Sequence, residues 1–163
     1  MVDISERNKG LLTGAVMILV CLILFYLLHQ QITRTNEYLV FAIYIAGICW
    51  SLVAYHRKQT SKTFKDYFSA AFKTFVVASL LIVLFIFIFN KLNPQIRDKM
   101  IAENNALLIK DGSRTPAEVQ ANAAKVKELY LPFTLMATTI KYLFLGALIS
   151  VVGAGFLSSK KAT

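Results

Sequence analysis

Side chains able to do chemistry are few in this sequence, and they stand apart from one another. The metal-ligating and nucleophilic types come down to His29, His56, Cys21 and Cys49, beside ordinary serines and carboxylates. A zinc site needs its ligands at short, regular spacings, and neither cysteine has a second Cys, a His or a carboxylate at such a distance. Both cysteines fall inside long apolar runs, where a thiol is expected to pack as a small buried apolar group. An activated nucleophile needs a base within hydrogen-bond reach, and no Ser–His, His–Asp or Asp–Asp pair shares a depth along those runs. The pattern predicts no catalytic residue, no cofactor-binding residue and no metal ligand.

Charge in an apolar setting is the other place where chemistry concentrates, because an ionised group in hydrocarbon is costly and tends to be kept for a purpose. The apolar runs contain no Asp or Glu; Glu37 stands just ahead of the second run and Asp66 just ahead of the third. Proton-coupled exporters of similar size rely on a carboxylate inside a span, so that activity is not expected. Lys141 is the cation that two placements dispute. If the last helix enters the membrane at Pro132, Lys141 lies about 13 Å further along at 1.5 Å per residue, where it would contact a lipid phosphate or a partner's carboxylate. If the hydrocarbon portion begins at Lys141, its ammonium snorkels to the outer headgroups beside Tyr142. The snorkelling placement is the one expected. A polar cavity around Lys141, Thr134, Thr138 and Thr139 would instead point to transport.

The elements that must carry these residues are long apolar helices. Four runs, at about 11–28, 38–55, 70–89 and 133–157, fill most of the 163 residues. A hydrocarbon core about 30 Å thick takes roughly 20 residues of helix, which each run approaches. The hydrophobic set makes up 56% of the chain and charged residues 17%, reversing the weighting of a soluble domain. The first run follows Arg7 and Lys9 as a signal peptide's apolar region would. It is too long for one and lacks a small-residue cleavage site, so it is read as the retained first span.

Between the third and fourth runs lies a polar insert with helix punctuation. Asn93-Pro94 reads as an N-cap followed by proline at the first helical position, and Asp111-Gly112-Ser113 as the break. Thr115-Pro116-Ala117-Glu118 reads as the cap, proline and capping-box carboxylate of a second helix ending near Tyr130. The expected fold class is an all-α integral membrane protein: a single bundle domain of four transmembrane helices, with an extramembrane helical hairpin over about 93–130.

Lys and Arg set the orientation. Arg7, Lys9, Arg57, Lys58, Lys62, Lys65, Lys73, Lys160 and Lys161 sit in short segments on the side of the termini, so the N- and C-termini are expected in the cytoplasm. The formal charge of +9 is then largely juxtamembrane, matched to anionic headgroups rather than to nucleic acid. Between the second and third runs, Phe64, Phe68, Phe72 and Phe75 recur on one helical stripe, with Tyr67 beside it and Lys62, Lys65 and Lys73 flanking it. Thr63 and Asp66 make a capping box that starts a helix there. Two uses fit: a helix lying in the cytoplasmic headgroup layer before turning into the third span, or aromatics packing on neighbouring spans.

Small residues mark where helices can approach closely. Gly10 and Gly14 on the first helix, Ala70, Thr74 and Ala78 on the third, and Gly146, Ser150 and Ala154 on the fourth recur every four residues. These stripes serve either one monomer or the joining of several copies.

Taken in order, Thr63-Phe64-Lys65-Asp66-Tyr67-Phe68, Phe72-Lys73, Asn93-Pro94, Gly146-Ala147-Leu148-Ile149-Ser150 and Ala154 with Phe156-Leu157 and the terminal lysines resemble the bacterial domain-of-unknown-function family 4199. The resemblance covers nearly the whole chain. It implies the four-span architecture and a bacterial inner-membrane setting, and brings no catalytic residue with it. Two functional classes are expected. One is a noncatalytic accessory or scaffold subunit docking a membrane or envelope partner; the other is a small transporter, channel or lipid-handling protein with a path between the spans.

Overall fold

Long apolar runs leave the backbone one open-chain solution in lipid, a helix that bonds every N–H and C=O within its own segment. The computed structural model describes residues 4–27, 34–58 and 63–159, and among them it holds helices and connecting turns with no strand. Helix α1 spans Glu6–Leu22 and passes into a π-helical turn at Ile23–Leu27; α2 spans Arg34–Lys58, α3 Phe64–Leu92, α4 Pro94–Lys110 and α5 Pro116–Ser159. Four segments, Glu6–Tyr26, Glu37–Lys58, α3 and α5, are long and apolar enough to cross a membrane. The chain is thus a multi-pass, all-helical membrane protein by length and composition. Lys62, Lys160 and Lys161, used above for topology and headgroup contact, and His29, weighed above as a chemical group, lie outside the described residues.

One helix narrows two readings the sequence left open and another differs from the sequence expectation, each for a local reason. The segment from Phe64 to Phe75 is no separate interfacial helix that turns into the third span, because α3 runs unbroken from Phe64 to Leu92. Its sequence contains neither glycine nor proline, so nothing interrupts the backbone ladder. The insert's second helix does not stop near Tyr130 either; α5 continues for 44 residues with Pro132 inside it. A proline there removes one N–H, whose acceptor would be the carbonyl of Glu128. Glu128 is exposed, so the carbonyl that loses its donor is not sealed in a core.

The chain divides into two compact units, residues 1–82 with 139–163 and residues 83–138. In the first, close contacts give the helix directions. Gly10 and Gly14 of α1 lie against Thr74 and Ala78 of α3, at increasing numbers on both helices, so these two run parallel. Gly47 of α2 meets Thr13, and Gly146 of α5 meets Tyr44 and Phe75. Ser51 reaches Glu6 where Gly47 meets Thr13, so α2 runs against α1, and Gly153 meets Leu52 where Gly146 meets Tyr44, so α5 runs with α2. The four segments alternate, up, down, up, down, around a core of Met17, Tyr44, Ile48, Tyr67 and Ile82. A β-carbon on Gly10 would stand 2.6 Å from the Thr74 carbonyl oxygen, so glycine is what lets α1 seat on α3. Bare backbone at such seams permits the close packing that drives association where lipid cancels the hydrophobic gain.

The second unit contains the end of α3, α4 and the first part of α5, and side chains join the last two. Lys127 Nζ lies 3.1 Å from Asp98 Oδ2, and the Tyr130 hydroxyl 3.1 Å from Met100 Sδ. The turn between them is a Schellman closure: Ser113 N–H donates to the Leu108 carbonyl at 3.0 Å and Gly112 N–H to that of Ile109 at 3.1 Å. Gly112 has φ 69°, the left-handed conformation that only glycine adopts without strain. At the start of α5, Thr115 N–H donates to Glu118 Oε2 at 2.7 Å and Glu118 N–H to Thr115 Oγ1 at 3.3 Å. Asn93 does precede α4 with Pro94 after it, but its side chain makes no cap bond. Instead its amide donates backwards to the Phe89 carbonyl at 3.0 Å, closing the end of α3. No residue of α4 is buried, and an open groove of about 660 Å3 lies between it and α5.

Candidate functional site

In the first unit, polar side chains gather in three places. The largest cluster joins α1, α2 and α3. Glu6 begins α1 with Ser5 as its N-cap, and one turn later Lys9 places its ammonium 2.8 Å from Glu6 Oε1. Their side chains retain only 13% and 3% of their exposure, so this ion pair is withdrawn from solvent. The Ser51 hydroxyl of α2 donates to Glu6 Oε2. Thr74 of α3 sets its hydroxyl 2.8 Å from Ser51 Oγ and 3.0 Å from the Glu6 carbonyl oxygen. Lys9 also lies 6.0 Å from the centre of the Trp50 ring, at the limit of cation–π range. Every charge here meets its opposite and every hydroxyl has a partner, which is what low-polarity surroundings demand.

The second cluster is neutral. The Tyr44 hydroxyl lies 2.9 Å from Ser79 Oγ and donates to the Tyr142 carbonyl at 2.9 Å, tying α2, α3 and α5 together. The two tyrosine rings meet edge to face with centroids 5.1 Å apart. Tyr142 is 4% exposed, its ring packed between Tyr44 and Phe41.

The third cluster surrounds Lys141. Its ammonium pairs with the Glu37 carboxylate of α2 and lies 5.0 Å from the centre of the Phe41 ring. The carboxylate that engages Lys141 is therefore on the same chain, 104 residues away in sequence. Of the threonines considered with it, Thr138 is buried and Thr134 half-buried.

The aromatic stripe stacks along α3. Ring centroids are 6.1 Å apart for Phe64 and Phe68, 5.9 Å for Phe68 and Phe72, and 5.1 Å for Phe72 and Phe75. Phe75 is buried, whereas Phe64 and Phe72 are exposed, as are Lys65 and Lys73 beside them. Tyr67, on the inward face, is fully buried and its hydroxyl lies 2.6 Å from His56 Nδ1. The ladder thus has a buried end and an uncovered one. Cys21 is half-buried and Cys49 exposed, so the thiol expected in the core at Cys49 faces outward instead.

The packing residues fall on helix seams: Ala70, Thr74, Ala78, Ser150 and Ala154 are buried, and Ser150 donates to the Gly146 carbonyl at 2.6 Å. Sequence reasoning missed Glu6 and counted Lys9 as a headgroup-facing cation. The spacing Glu6 to Lys9, one turn apart immediately before Gly10 and Gly14, was the available signal, since such a pair faces one side of a helix. Ser51 and Glu37 carried no signal, because each acquires its partner only when separate helices meet. No cluster of three His, Cys, Asp or Glu able to hold a metal occurs among the described residues. Chemically, the three clusters cross-link helices with bonds that are strong where water is scarce.

Neither a curated protein nor a solved structure matches this sequence. A family model described as protein of unknown function, DUF4199, matches residues 8–159. That match covers nearly the whole chain, which carries four helices long and apolar enough to cross a membrane, and the chain belongs to that family.

Proposed function

We infer that this protein is a noncatalytic subunit of the bacterial inner membrane that docks a membrane or envelope partner through the aromatic ladder of α3. The observation that carries this reading is the contrast along one helix face: polar groups inside the first unit bond to one another, while Phe64 and Phe72 remain uncovered between Lys65 and Lys73. Contiguous exposed aromatics rimmed by charge are a recurrent mark of interaction surfaces. Arg7, Arg57, Lys58 and Lys65 belong to the ends of α1, α2 and α3 that meet in the up–down arrangement, and this basic end faces the cytoplasm by the positive-inside rule. Lys9 drops out of that count because Glu6 neutralises it. The pairing of Lys141 with Glu37 takes up the cation on which a transport path would chiefly depend.

A photo-crosslinking residue at Phe72 in the full chain, expressed in bacterial membranes, should yield one stoichiometric protein adduct that weakens in a Phe64→Ala background. The same residue at Val152, 64% exposed on α5, serves as the lipid-facing comparison. Equal adducts at both positions, or solute flux through proteoliposomes containing the chain alone, would remove the docking reading.

A further inference from the structure

The groove of the second unit has no part in that docking reading. Its walls are Met100 and Ile101 on α4, and Val126, Leu129 and Phe133 on α5. The α5 residues recur at steps of three and four, so they form one apolar strip about 10 Å long at 1.5 Å per residue. The strip is uncovered, with Leu129 51% and Phe133 65% exposed. At about 660 Å3 the space falls within the roughly 300–1,000 Å3 range of small-ligand sites.

Charge selects the occupant. The charged residues lining the groove are Arg114 and Lys125, and no carboxylate lines it. Neither cation makes an ion pair among the described residues. Glu118, four residues beyond Arg114, is bound by the Thr115 amide and hydroxyl and feels the Arg114 charge without forming an ion pair with it. Asn104 and Asn122 add neutral donors to the same lining. Polarity is also graded along the groove: Arg114 precedes the helix, Lys125 lies midway, and the apolar strip ends at Phe133, with no charged residue between Phe133 and Lys141. An amphiphile with an anionic head matches that gradient. A guanidinium takes phosphate oxygens in pairs, and a lysine stem lies along apolar surface while its ammonium reaches the charge. A second copy of the chain fits less well, since it would bring the same two cations face to face.

We propose that this groove binds an anionic phospholipid, with one acyl chain along Val126, Leu129 and Phe133 and the phosphate on Arg114 and Lys125. The site holds a lipid in a defined pose, independently of what docks on α3.

The test uses the full chain in phosphatidylcholine nanodiscs doped with phosphatidylglycerol carrying a photoactivatable acyl chain. Mass spectrometry should map adducts to the peptides containing Met100, Ile101, Val126 and Leu129. A phosphatidylcholine probe of the same chain should label those peptides about tenfold less, the ratio set by two cations near the phosphate. The double variant Arg114→Gln, Lys125→Gln should erase that preference while adducts on α3 stay constant. Val126→Trp, which fills the groove and leaves both cations in place, should block labelling by either probe. Circular dichroism and the α3 adducts report folding for each variant. Equal labelling by the two lipids would overturn the proposal, as would labelling only by a free photoactivatable fatty acid. Chain-to-chain adducts in place of lipid adducts would make the occupant a second copy and overturn it as well.

Discussion

The two units of this molecule handle polarity in opposite ways. In the first, Glu6, Lys9, Ser51 and Thr74 turn inward and bond between helices, while the Lys141–Glu37 pair stays at the surface. In the second, polar groups turn outward: α4 buries no residue, and Asp98 pairs with Lys127 at the surface. The reason is the solvent each sequence is built for. A charge on an apolar bundle has no water to fall back on, so its partner must be supplied by the protein. Surface pairs compete with water and contribute little. Similar pairings on paper therefore carry different weights, and substitutions in the two units should separate them.

The largest effect is expected at Glu6 and Lys9. Removing one partner leaves the other charged and withdrawn from solvent, which costs about 3–5 kcal/mol for a buried pair. Lys9→Met and Glu6→Gln should each lower the thermal stability of the detergent-solubilised chain sharply, read by fluorescence-detected size exclusion. The double variant should recover much of the loss, because the buried charge is gone altogether. A double variant as unstable as the sum of the singles would mean that Glu6 and Lys9 act separately, each through Ser51, Thr74 or Trp50.

These differences explain how much was legible beforehand. The four spans were visible because apolar length is a property of a continuous segment, and so were the capping boxes at Thr63–Asp66 and Thr115–Glu118, where both partners lie within one turn. What escaped depends on helices meeting. Glu37 and Lys141 are 104 residues apart, Ser51 and Glu6 45 apart, and no local pattern links either pair. Asn93 fits the cap pattern yet closes the preceding helix, since its side chain carries both an oxygen that could accept from the first turn of α4 and an amide that can donate to the last turn of α3, and sequence does not rank the two. Pro132 marks a helix end in water, but its removed N–H concerns one carbonyl, and α5 passes through.

A second, intermediate effect tests the seams of the first unit against each other. At Gly10 an added β-carbon meets the Thr74 carbonyl oxygen at 2.6 Å and Val77 Cβ at 2.9 Å; at Gly155 it meets nothing within 4 Å. Backbone cannot retreat as a side chain can, so Gly10→Ala should destabilise by about 1–3 kcal/mol, the usual cost of overpacking. Gly155→Ala should be neutral or stabilising by up to about 1 kcal/mol, because alanine is the better helix former. Equal melting temperatures for the two variants would show that α1 and α3 do not pack as closely as Gly10 implies.

The smallest effect belongs to the surface pair of the second unit. The Lys127 ammonium, followed by the Arg97 guanidinium, holds the Asp98 carboxyl below its ordinary value. A depressed carboxylate contributes stability above its unfolded pKa of about 3.9 and loses that contribution as pH falls through the lower folded value. Between pH 5 and 8 the contact should therefore be independent of pH. In a carboxyl-detected NMR titration of the full chain, Asp98 should titrate below about 3.9, and Lys127→Met should move it upward while leaving the thermal midpoint unchanged. The midpoint stays put because the pair is exposed and water replaces what the lysine supplied. If Lys127→Met instead lowered stability as much as Lys9→Met, the second unit would be using its ion pair as the first does, and the contrast between inward and outward polarity would fail.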